Sequence, residues 1–143
     1  MPSQDPPRQV VVAGALIVSG RVLVAQRARP PELAGLWELP GGKVGPGETD
    51  AVALARELAE ELGIDVTVGS RLGEEVALSP AMTLRAYFVT QTCRRDPRPH
   101  DHRGLRWAAP GELGQLDWVP ADRAWLPELV RMLVGNAHRH ETP

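Results

Sequence analysis

Three glutamates, Glu57, Glu60 and Glu61, lie close together in the segment GKVGPGETDAVALARELAEELGI, which covers residues 42–64. On a helix, at about 100° per residue, they fall at roughly 0°, 300° and 40°, so their carboxylates share one face. Three negative charges this close repel one another unless a cation lies between them. Carboxylate oxygens are the ligands that Mg²⁺ and Mn²⁺ prefer, commonly together with substrate phosphates. The spacing favours a divalent-metal site over the alternative of a solvated acidic face on a surface helix.

The same segment predicts the helix that presents these carboxylates. Thr49 is its predicted N-cap, after a turn at Pro46 and Gly47, and Gly63 is the residue that ends it. Just upstream, Gly41 and Gly42 have no side chains, which lets the backbone approach a metal or a phosphate closely. An apolar stripe at helical spacing is expected to pack on a sheet; its members are Val52, Ala55, Leu58, Ala59 and Leu62.

The fixed positions in residues 42–64 form one long pattern, and this pattern resembles the signature of the Nudix hydrolases without a departure. The residues that carry the resemblance are Gly42, Glu48, Arg56, Glu57, Leu58, Glu60, Glu61, Gly63 and Ile64. Elsewhere the chain is similar to the MutT-type branch, which acts on nucleoside triphosphates. The matching segments are Gln26-Arg27, LWELPGGK at 36–43, His100-Asp101-His102 before Trp107, and WVPAD at 118–122. The resemblance covers residues 9–135.

The resemblance implies metal-dependent hydrolysis of a nucleoside diphosphate linked to a further group. The implied ligands of Mg²⁺, with Mn²⁺ as a substitute, are Glu57, Glu60, Glu61 and the backbone carbonyl of Gly41. Asp101 is implied as a further metal ligand or as the general base, against the alternative of an ordinary loop aspartate. Arg56 is implied to orient the carboxylates by ion pairing, and Glu48 to support them in a similar way. His100 and His102, with no thiol nearby, are weak candidates for a zinc site.

The resemblance also implies how the triphosphate is bound. Arg27 and Lys43 are expected to bind phosphate oxygens, and Glu38 is counted among the substrate-binding residues. Lys43 is the only lysine among sixteen basic residues, which favours a phosphate-binding charge over chance placement on a loop. By the same resemblance, water attacks the β-phosphorus and the products are a nucleoside monophosphate and pyrophosphate.

Asp122 is the candidate for reading the base, because in the MutT-type branch that residue lies where the C-terminal helix begins. An ionised carboxylate only accepts hydrogen bonds, and the N4 amine of cytosine is a donor. This favours CTP, dCTP or 5-methyl-dCTP as substrate, with 8-oxo-dGTP as the alternative. Pro120 is the predicted first helical residue, so Asp122 could instead serve only to stabilise the first helical turn. A non-catalytic nucleotide-binding module is the alternative from another class.

The resemblance implies an α/β fold: an α/β/α sandwich with a mixed, curved β-sheet between helices. The residue pattern agrees with it. Strands are predicted at 9–19, 21–27, 83–92 and 105–108, with one or two strands at 65–78 broken near residues 69–73, and helices at 110–113 and 120–136. The side chains of the last helix that should point inward are Trp125, Leu126, Leu129, Val130 and Leu133. We predict one domain at 9–136, a disordered tail at 1–8 and a polar tail at 137–143.

Composition excludes several classes of protein. The 143 residues carry a net charge of −2, which gives no basic surface for nucleic acid. No apolar run is long enough for a transmembrane helix, and no signal peptide is apparent, so no membrane partner is expected. Cys93 is the only cysteine, which excludes an internal disulfide and predicts a strand residue rather than a nucleophile. We expect a cytoplasmic protein that is a monomer, with a dimer left open.

Overall fold

The computed structural model describes the backbone of residues 8–141 and the side chains of residues 8–135. Its strands are β1 (Gln9–Val18), β2 (Arg21–Gln26), β3 (Trp37–Glu38), β4 (Gly41–Lys43), β5 (Val66–Ser79), β6 (Met82–Gln91) and β7 (Gly104–Ala108). Its helices are α1 (Asp50–Leu62), α2 (Pro110–Leu113) and α3 (Leu126–Glu141), and a 3₁₀ helix at Pro120–Trp125 leads directly into α3.

The strands form one mixed sheet in which β1 is central. β1 runs parallel to β6, and β6 pairs with β5 in the antiparallel sense. The other edge of β1 is divided between two partners: Val11–Ala13 pair with β4, whereas Ile17 and Val18 pair with β2. β2 in turn pairs with β3 and β7. Because β1 changes partner along its length, the sheet opens between β4 and β2 instead of continuing flat.

Helices cover both faces of this sheet. Side chains alternate along a strand, so Val12 and Leu16 of β1 face α1, while Ala13 and Ala15 face the opposite layer. That opposite layer is formed by α2, the 3₁₀ helix and α3, with Leu113, Trp118, Trp125, Leu129 and Leu133 buried in it. Two apolar layers thus lie on either side of one mixed sheet. The predicted α/β/α sandwich is confirmed.

Most predicted strands agree with the structure to within one or two residues. The segment that was predicted as one or two strands is a single strand, β5, and its register against β6 shifts three times between Val68 and Ser79. These irregularities include the glycines that suggested a break. β4 was not predicted, since GGK carries no strand signal and is held by its pairing with β1. Cys93 lies in a bend after β6, not in a strand.

Two predictions about helices were wrong in detail. The apolar stripe of α1 consists of Ala53, Leu54, Leu58 and Leu62, whereas Val52 is 57% exposed and Ala59 is also exposed. The C-terminal helix begins as a 3₁₀ helix and continues to Glu141, beyond the predicted end at residue 136. Its inward side chains are as predicted, with Trp125, Leu129 and Leu133 fully buried and the other two packed against them. The predicted tail at 1–8 lies almost entirely outside the described residues.

Within the described part of the chain, no helix combines the length and the apolar character needed to cross a bilayer. The cytoplasmic location stays a prediction from the sequence.

Candidate active site

The helix α1 is fixed at both ends as the sequence predicted. The hydroxyl of Thr49 accepts a hydrogen bond from the backbone N–H of Val52 at 3.1 Å, which caps the first turn. Gly63 has φ of 70°, a left-handed conformation that suits glycine, and its N–H donates to the carbonyl of Ala59. With Leu58 and Leu62 packed on the sheet, the polar face of the helix is held towards β4.

Arg56 connects this helix to the loop that precedes it. Its guanidinium donates to both carboxylate oxygens of Glu48, at 2.7 and 2.8 Å, and to the carbonyl of Lys43 at 3.1 Å. It also pairs with Glu57 at 3.0 Å and with Glu60 at 3.2 Å. The hydrogen bonds from Arg56 and then from the Gly45 N–H lower the pKa of Glu48 to about 2, so Glu48 stays ionised. The ion pairing proposed for Arg56 is therefore present.

Glu57 and Glu60 lie in different surroundings. The carboxyl group of Glu57 packs against Gly42, where an added Cβ would come within 2.3 Å of it. Only a glycine at position 42 leaves this space, which places Glu57 against the middle of β4. The side chain of Glu60 is 59% exposed and reaches solvent beside Arg56.

Glu61 differs from the other two glutamates in its hydrogen bonding. Its Oε2 atom is buried and has no hydrogen-bond partner among the described residues. Burial is the main cause that raises the pKa of Glu61 to about 7; His102 opposes this shift, and the negative charges of Glu57, Glu38 and Asp101 add to it. Four acidic groups therefore act on one another at this end of the helix, which is the electrostatic setting that a divalent cation would relieve.

The loop after β6 brings Asp101 and His102 to the same place by binding the last turn of α1. The backbone N–H groups of Arg98 and His100 donate to the carbonyls of Leu62 and Glu61, and His100 Nδ1 lies 2.7 Å from the carbonyl of Glu60. These bonds satisfy carbonyls that a helix end leaves without partners. Asp101 projects into solvent, with its side chain 64% exposed and only a 3.7 Å contact to Arg29.

His102 is a residue of this site whose contacts the sequence did not reveal. Its side chain is only 7% exposed, and Nε2 lies 2.9 Å from Oε2 of Glu38. The other oxygen of Glu38 accepts from Arg27 at 2.9 Å, so Glu38 joins the two basic side chains. The HDH pattern was the only signal in the sequence, and without a thiol nearby it indicated only a weak zinc site.

A cleft of about 520 Å³ opens between these residues and the start of the 3₁₀ helix. Seven of the predicted site residues line it: Arg27, Glu38, Gly41, Lys43, Glu61, Asp101 and Asp122. Arg56, Glu57 and Glu60 lie beside it and are not among its lining residues. Apolar side chains from β1, β6 and the 29–39 segment form much of the remaining wall, including Val11, Leu33, Leu39 and Leu84. The lining of the cleft therefore combines charged side chains with apolar ones.

Asp122 lines the cleft and is 4% exposed. Its Oδ2 accepts a hydrogen bond from the backbone N–H of Leu39 at 2.8 Å. Burial raises the pKa of Asp122 from 3.8 to about 7; the Leu39 hydrogen bond opposes this shift, Glu38 adds to it and Arg27 opposes it. Although Asp122 is in the first turn of the 3₁₀ helix, its side chain binds the backbone of Leu39, the residue after β3. Near neutral pH this carboxyl group can be either ionised or neutral.

The carboxylate oxygens of Glu57, Glu60 and Glu61 are donors that fit a hard divalent cation. Among the described residues, no three His, Cys, Asp or Glu side chains form a ready metal cage. Glu57 and Glu60 are paired with Arg56, whereas the buried Oε2 of Glu61 has no partner. Magnesium is typically held by one or two carboxylates together with waters and substrate phosphates. These residues suit such partial coordination, and the backbone at Gly41 and Gly42 comes close to them.

Comparisons with known proteins give several matches. A model of the NUDIX domain family matches residues 7–129 of the chain. The chain is 58% identical over 132 residues to a Mycobacterium tuberculosis protein named "Putative 8-oxo-dGTP diphosphatase 2", covering 90% of this chain and 93% of that protein. It is 40% identical over 114 residues to a CTP pyrophosphohydrolase of Escherichia coli, covering 78% and 84%. The crystal structure of a MutT NUDIX hydrolase from Burkholderia pseudomallei superposes with a TM-score of 0.67 at 33% identity, covering 85% and 97%.

Proposed function

The chain belongs to the Nudix hydrolase family, and on that premise we propose that it is a Mg²⁺-dependent nucleoside triphosphate pyrophosphohydrolase of CTP and dCTP. The observation that carries the proposal is the cleft itself, whose lining combines Glu61, Arg27 and Lys43 with apolar side chains and the buried carboxyl of Asp122. A triphosphate suits the charged side chains, and a base suits the apolar ones. The 5-methyl group of 5-methyl-dCTP would meet the same apolar wall.

The proposed metal lies at the acidic side chains. Glu57, Glu60 and Glu61 would hold Mg²⁺ with the carbonyl of Gly41 and with Asp101, and Mn²⁺ would serve as a substitute. A divalent ion supplies charge neutralisation at the phosphates and a more acidic water. If Asp101 is not a metal ligand, its alternative role is that of the general base.

The other charged side chains orient these groups and the substrate. Arg56 and Glu48 fix the helix against the loop before it, which keeps the carboxylates in place. Lys43 is exposed on the cleft wall and Arg27 is half-buried there, so both can reach phosphate oxygens. Glu38 is committed to Arg27 and His102, and it acts on the substrate through them rather than by direct contact. Water attacks the β-phosphorus and releases the monophosphate and pyrophosphate.

The choice of base rests on Asp122. Its Oδ2 is occupied by the N–H of Leu39, so Oδ1 is the oxygen that a base in the cleft would meet. When ionised, Oδ1 accepts from the N4 amine of cytosine and repels the O4 carbonyl of uracil. This supports cytosine nucleotides over uracil nucleotides. The protein acts as a monomer in this proposal, and nucleic acid and membranes are not its partners.

A second candidate substrate, 8-oxo-dGTP, is favoured by two observations. It is the nucleotide in the name of the M. tuberculosis relative, and the pKa of Asp122 is raised to about 7, so that a neutral carboxyl group is accessible. A neutral carboxyl group can donate one hydrogen bond and accept another. Oxidised guanine offers a matching pair, since its O6 accepts and its N7–H donates.

A nucleotide panel at several pH values separates the two candidates. Pyrophosphate release from dCTP, CTP, UTP and 8-oxo-dGTP is measured with Mg²⁺, and EDTA should abolish it. As pH rises through about 7, Asp122 ionises beside Glu38 and Arg27, so the ratio of kcat/KM for dCTP to that for 8-oxo-dGTP should rise. Metal binding and water activation affect both substrates and cancel in this ratio.

Asp122→Asn is the matched control, because its amide does not titrate and its ratio should be flat with pH. One hydrogen bond lost at this site should be worth about 1–3 kcal/mol, or roughly ten- to a hundredfold in discrimination. A larger kcat/KM for 8-oxo-dGTP than for dCTP over the whole pH range would identify 8-oxo-dGTP as the preferred substrate. Uniform loss for every nucleotide in Asp122→Asn would remove Asp122 from base recognition.

A further inference from the structure

The arginine and lysine side chains that line the cleft differ in how far neighbouring groups already hold them. They are Arg27, Arg29 and Lys43. Arg27 donates to Oε1 of Glu38 at 2.9 Å and, through Nε, to the carbonyl of Arg29 at 3.0 Å. Two of its five N–H groups are therefore already used within the protein. Arg27 and Lys43 have roles in the proposed hydrolysis, whereas Arg29 has none so far.

The side chain of Arg29 can exchange its present partner for a ligand. It is 78% exposed, and within the described part of the chain its one ion pair is with Asp101, whose Oδ1 lies 3.7 Å from Nη2. That distance is too long for a hydrogen bond, and exposed ion pairs contribute little to stability. A phosphate oxygen can therefore replace Asp101 at small cost. Asp101 is then free for the role at the metal that is proposed for it.

The backbone that carries Arg29 is held in place, although its side chain is not. Residues 27–36 form a loop that is closed by two backbone hydrogen bonds. The N–H of Arg27 donates to the carbonyl of Leu36 at 2.8 Å, and the N–H of Gly35 donates to the carbonyl of Arg27 at 2.9 Å. The guanidinium of Arg29 thus extends from a fixed position, which lowers the entropy that is lost when it binds a ligand.

We propose that Arg29 binds the terminal phosphate of the nucleoside triphosphate and thereby makes the enzyme prefer triphosphates to diphosphates. The inference rests on the proposed function and adds a specificity-determining residue to it. The proposed partner of the base, Asp122, is 4% exposed, so the phosphates extend from the base towards solvent. A highly exposed cation on the cleft wall suits the phosphate farthest from the base, and the guanidinium fork matches phosphate oxygens.

Lys43 is exposed as well, but it lies on a different element. It ends β4, and its carbonyl accepts a hydrogen bond from Arg56, which also pairs with the proposed metal ligand Glu57. This position suits the phosphates that the metal binds. Because Arg29 extends from a separate loop, the two cations can hold different phosphates of one substrate.

Three variants test the role of Arg29. Arg29→Gln removes the charge, and Arg29→Lys keeps the charge but loses the fork of N–H groups. Arg103→Gln is the matched control, since Arg103 is exposed and does not line the cleft. Its Nη1 atom lies close to Gly35 in the same loop as Arg29, within 3.5 Å of where a Cβ would be. The control therefore measures the general effect of removing one positive charge near the cleft.

Binding is measured by calorimetry with Mg²⁺ and two analogues, α,β-methylene-dCTP and α,β-methylene-dCDP, which cannot be cleaved between the α- and β-phosphorus. The wild type should bind the triphosphate more tightly than the diphosphate. Arg29→Gln should lower this preference about tenfold, as loss of one charge-assisted contact implies, and Arg29→Lys should lower it less. Arg103→Gln should keep the preference of the wild type. The melting temperature of Arg29→Gln without ligand should equal that of the wild type, because the side chain is exposed.

The same preference should appear in turnover. In Arg29→Gln, kcat/KM for dCTP relative to dCDP should fall about tenfold, as loss of the same contact implies. The fall should be as large for 8-oxo-dGTP relative to 8-oxo-dGDP, because the proposed contact is to a phosphate and not to the base. The Mg²⁺ concentration for half-maximal activity should stay that of the wild type.

Several results would overturn the role of Arg29. An equal loss for triphosphate and diphosphate, or a wild type without a preference, would mean that Arg29 does not distinguish the terminal phosphate. A raised Mg²⁺ requirement with an unchanged preference would show that Arg29 acts through Asp101. Equal effects of Arg29→Gln and Arg103→Gln would leave only general electrostatic attraction.

Failure of the proposed function has a different result. The wild type would then release pyrophosphate from no nucleoside triphosphate. If the wild type is active and Arg29→Gln discriminates triphosphate from diphosphate equally well, only the role of Arg29 fails.

Discussion

Two carboxyl groups that line the cleft, those of Glu61 and Asp122, have raised pKa values, and burial is the main cause that raises each to about 7. Their hydrogen bonding differs. Asp122 has the N–H of Leu39 as a partner, whereas Oε2 of Glu61 has none among the described residues. Groups with such raised pKa values are concentrated at functional sites, because a stable core would not retain them without a use. Both residues were singled out from the sequence, but their burial was not predictable from it.

Asp122 gives a prediction about stability and pH. Its pKa in the folded protein, about 7, lies above the ordinary 3.8, so between these values the folded protein binds a proton that the unfolded chain does not. Stability must therefore fall as pH rises from about 4 to about 7, by an amount on the order of a few kcal/mol. Asp122→Asn keeps an oxygen for the Leu39 N–H and does not ionise. The variant should equal the wild type near pH 4 and be more stable at pH 8.

Urea denaturation at pH 4, 6 and 8 measures this effect as the difference in the free energy of unfolding between variant and wild type. Asp117→Asn, at an exposed aspartate seven residues after Pro110, is the control and should show no such trend. A difference that stays constant over this pH range would mean that Asp122 is ionised in the folded protein at every pH tested. Asp122 would then recognise the base only in its ionised form, as a hydrogen-bond acceptor.

At the scale of the elements, the residues that cap α1 were predictable from the sequence. The side of its first turns that faces the sheet was not. Thr49 and Gly63 act locally, so their roles follow from sequence. Residues 51–55 read AVALA, five apolar residues in a row, and such a run carries no information about which side faces the sheet. Packing determines which side faces the sheet: Ala53 and Leu54 are buried, and Val52 is exposed.

Elements that depend on distant partners were the hardest to predict. β4 exists because Gly41–Lys43 pair with β1, about thirty residues earlier in the chain. The loop that carries Asp101 and His102 is placed by backbone bonds to the end of α1. No local pattern in RRDPRPHDHR reports those bonds, so the sequence placed Asp101 by alignment with its family and missed the burial of His102.

The attachment of α1 to its preceding loop gives the second prediction. Arg56 holds Glu48 with two nitrogens and also reaches Lys43 and Glu57, whereas a lysine has one point of charge and cannot make this set of bonds. Arg56→Lys should raise the Mg²⁺ concentration for half-maximal activity about ten- to a hundredfold, as loss of a residue that orients metal ligands implies. Activity at saturating Mg²⁺ should fall much less.

Arg85→Lys is the matched control for this measurement. Arg85 also pairs with a carboxylate of α1, Asp50 at 3.1 Å, but from strand β6 and away from the cleft. Its Mg²⁺ requirement should match that of the wild type. An unchanged Mg²⁺ requirement in Arg56→Lys, with a reduced kcat, would place Arg56 on the substrate rather than on the metal ligands.

At the scale of the whole molecule, the cleft exists because β1 changes partner along its length. Val11–Ala13 pair with β4 and form part of the cleft wall, while the end of β1 pairs with β2, which leads to Arg27. β3 ends at Glu38, which contacts His102, and the next residue, Leu39, binds Asp122. The family pattern predicted a set of site residues. Their meeting at one cleft follows only from the arrangement of the strands.

The last prediction concerns the direction of the bound nucleotide. In the proposed arrangement the base lies at Asp122 and the phosphates lie towards Lys43 and Glu61. The attacking water is then expected to reach the β-phosphorus, beyond the α-phosphate. Hydrolysis in ¹⁸O water should therefore place the label in pyrophosphate and leave the monophosphate unlabelled, as mass spectrometry of both products can measure. Label in the monophosphate would mean attack at the α-phosphorus, and the nucleotide would have to lie about one phosphate deeper in the cleft than this arrangement requires.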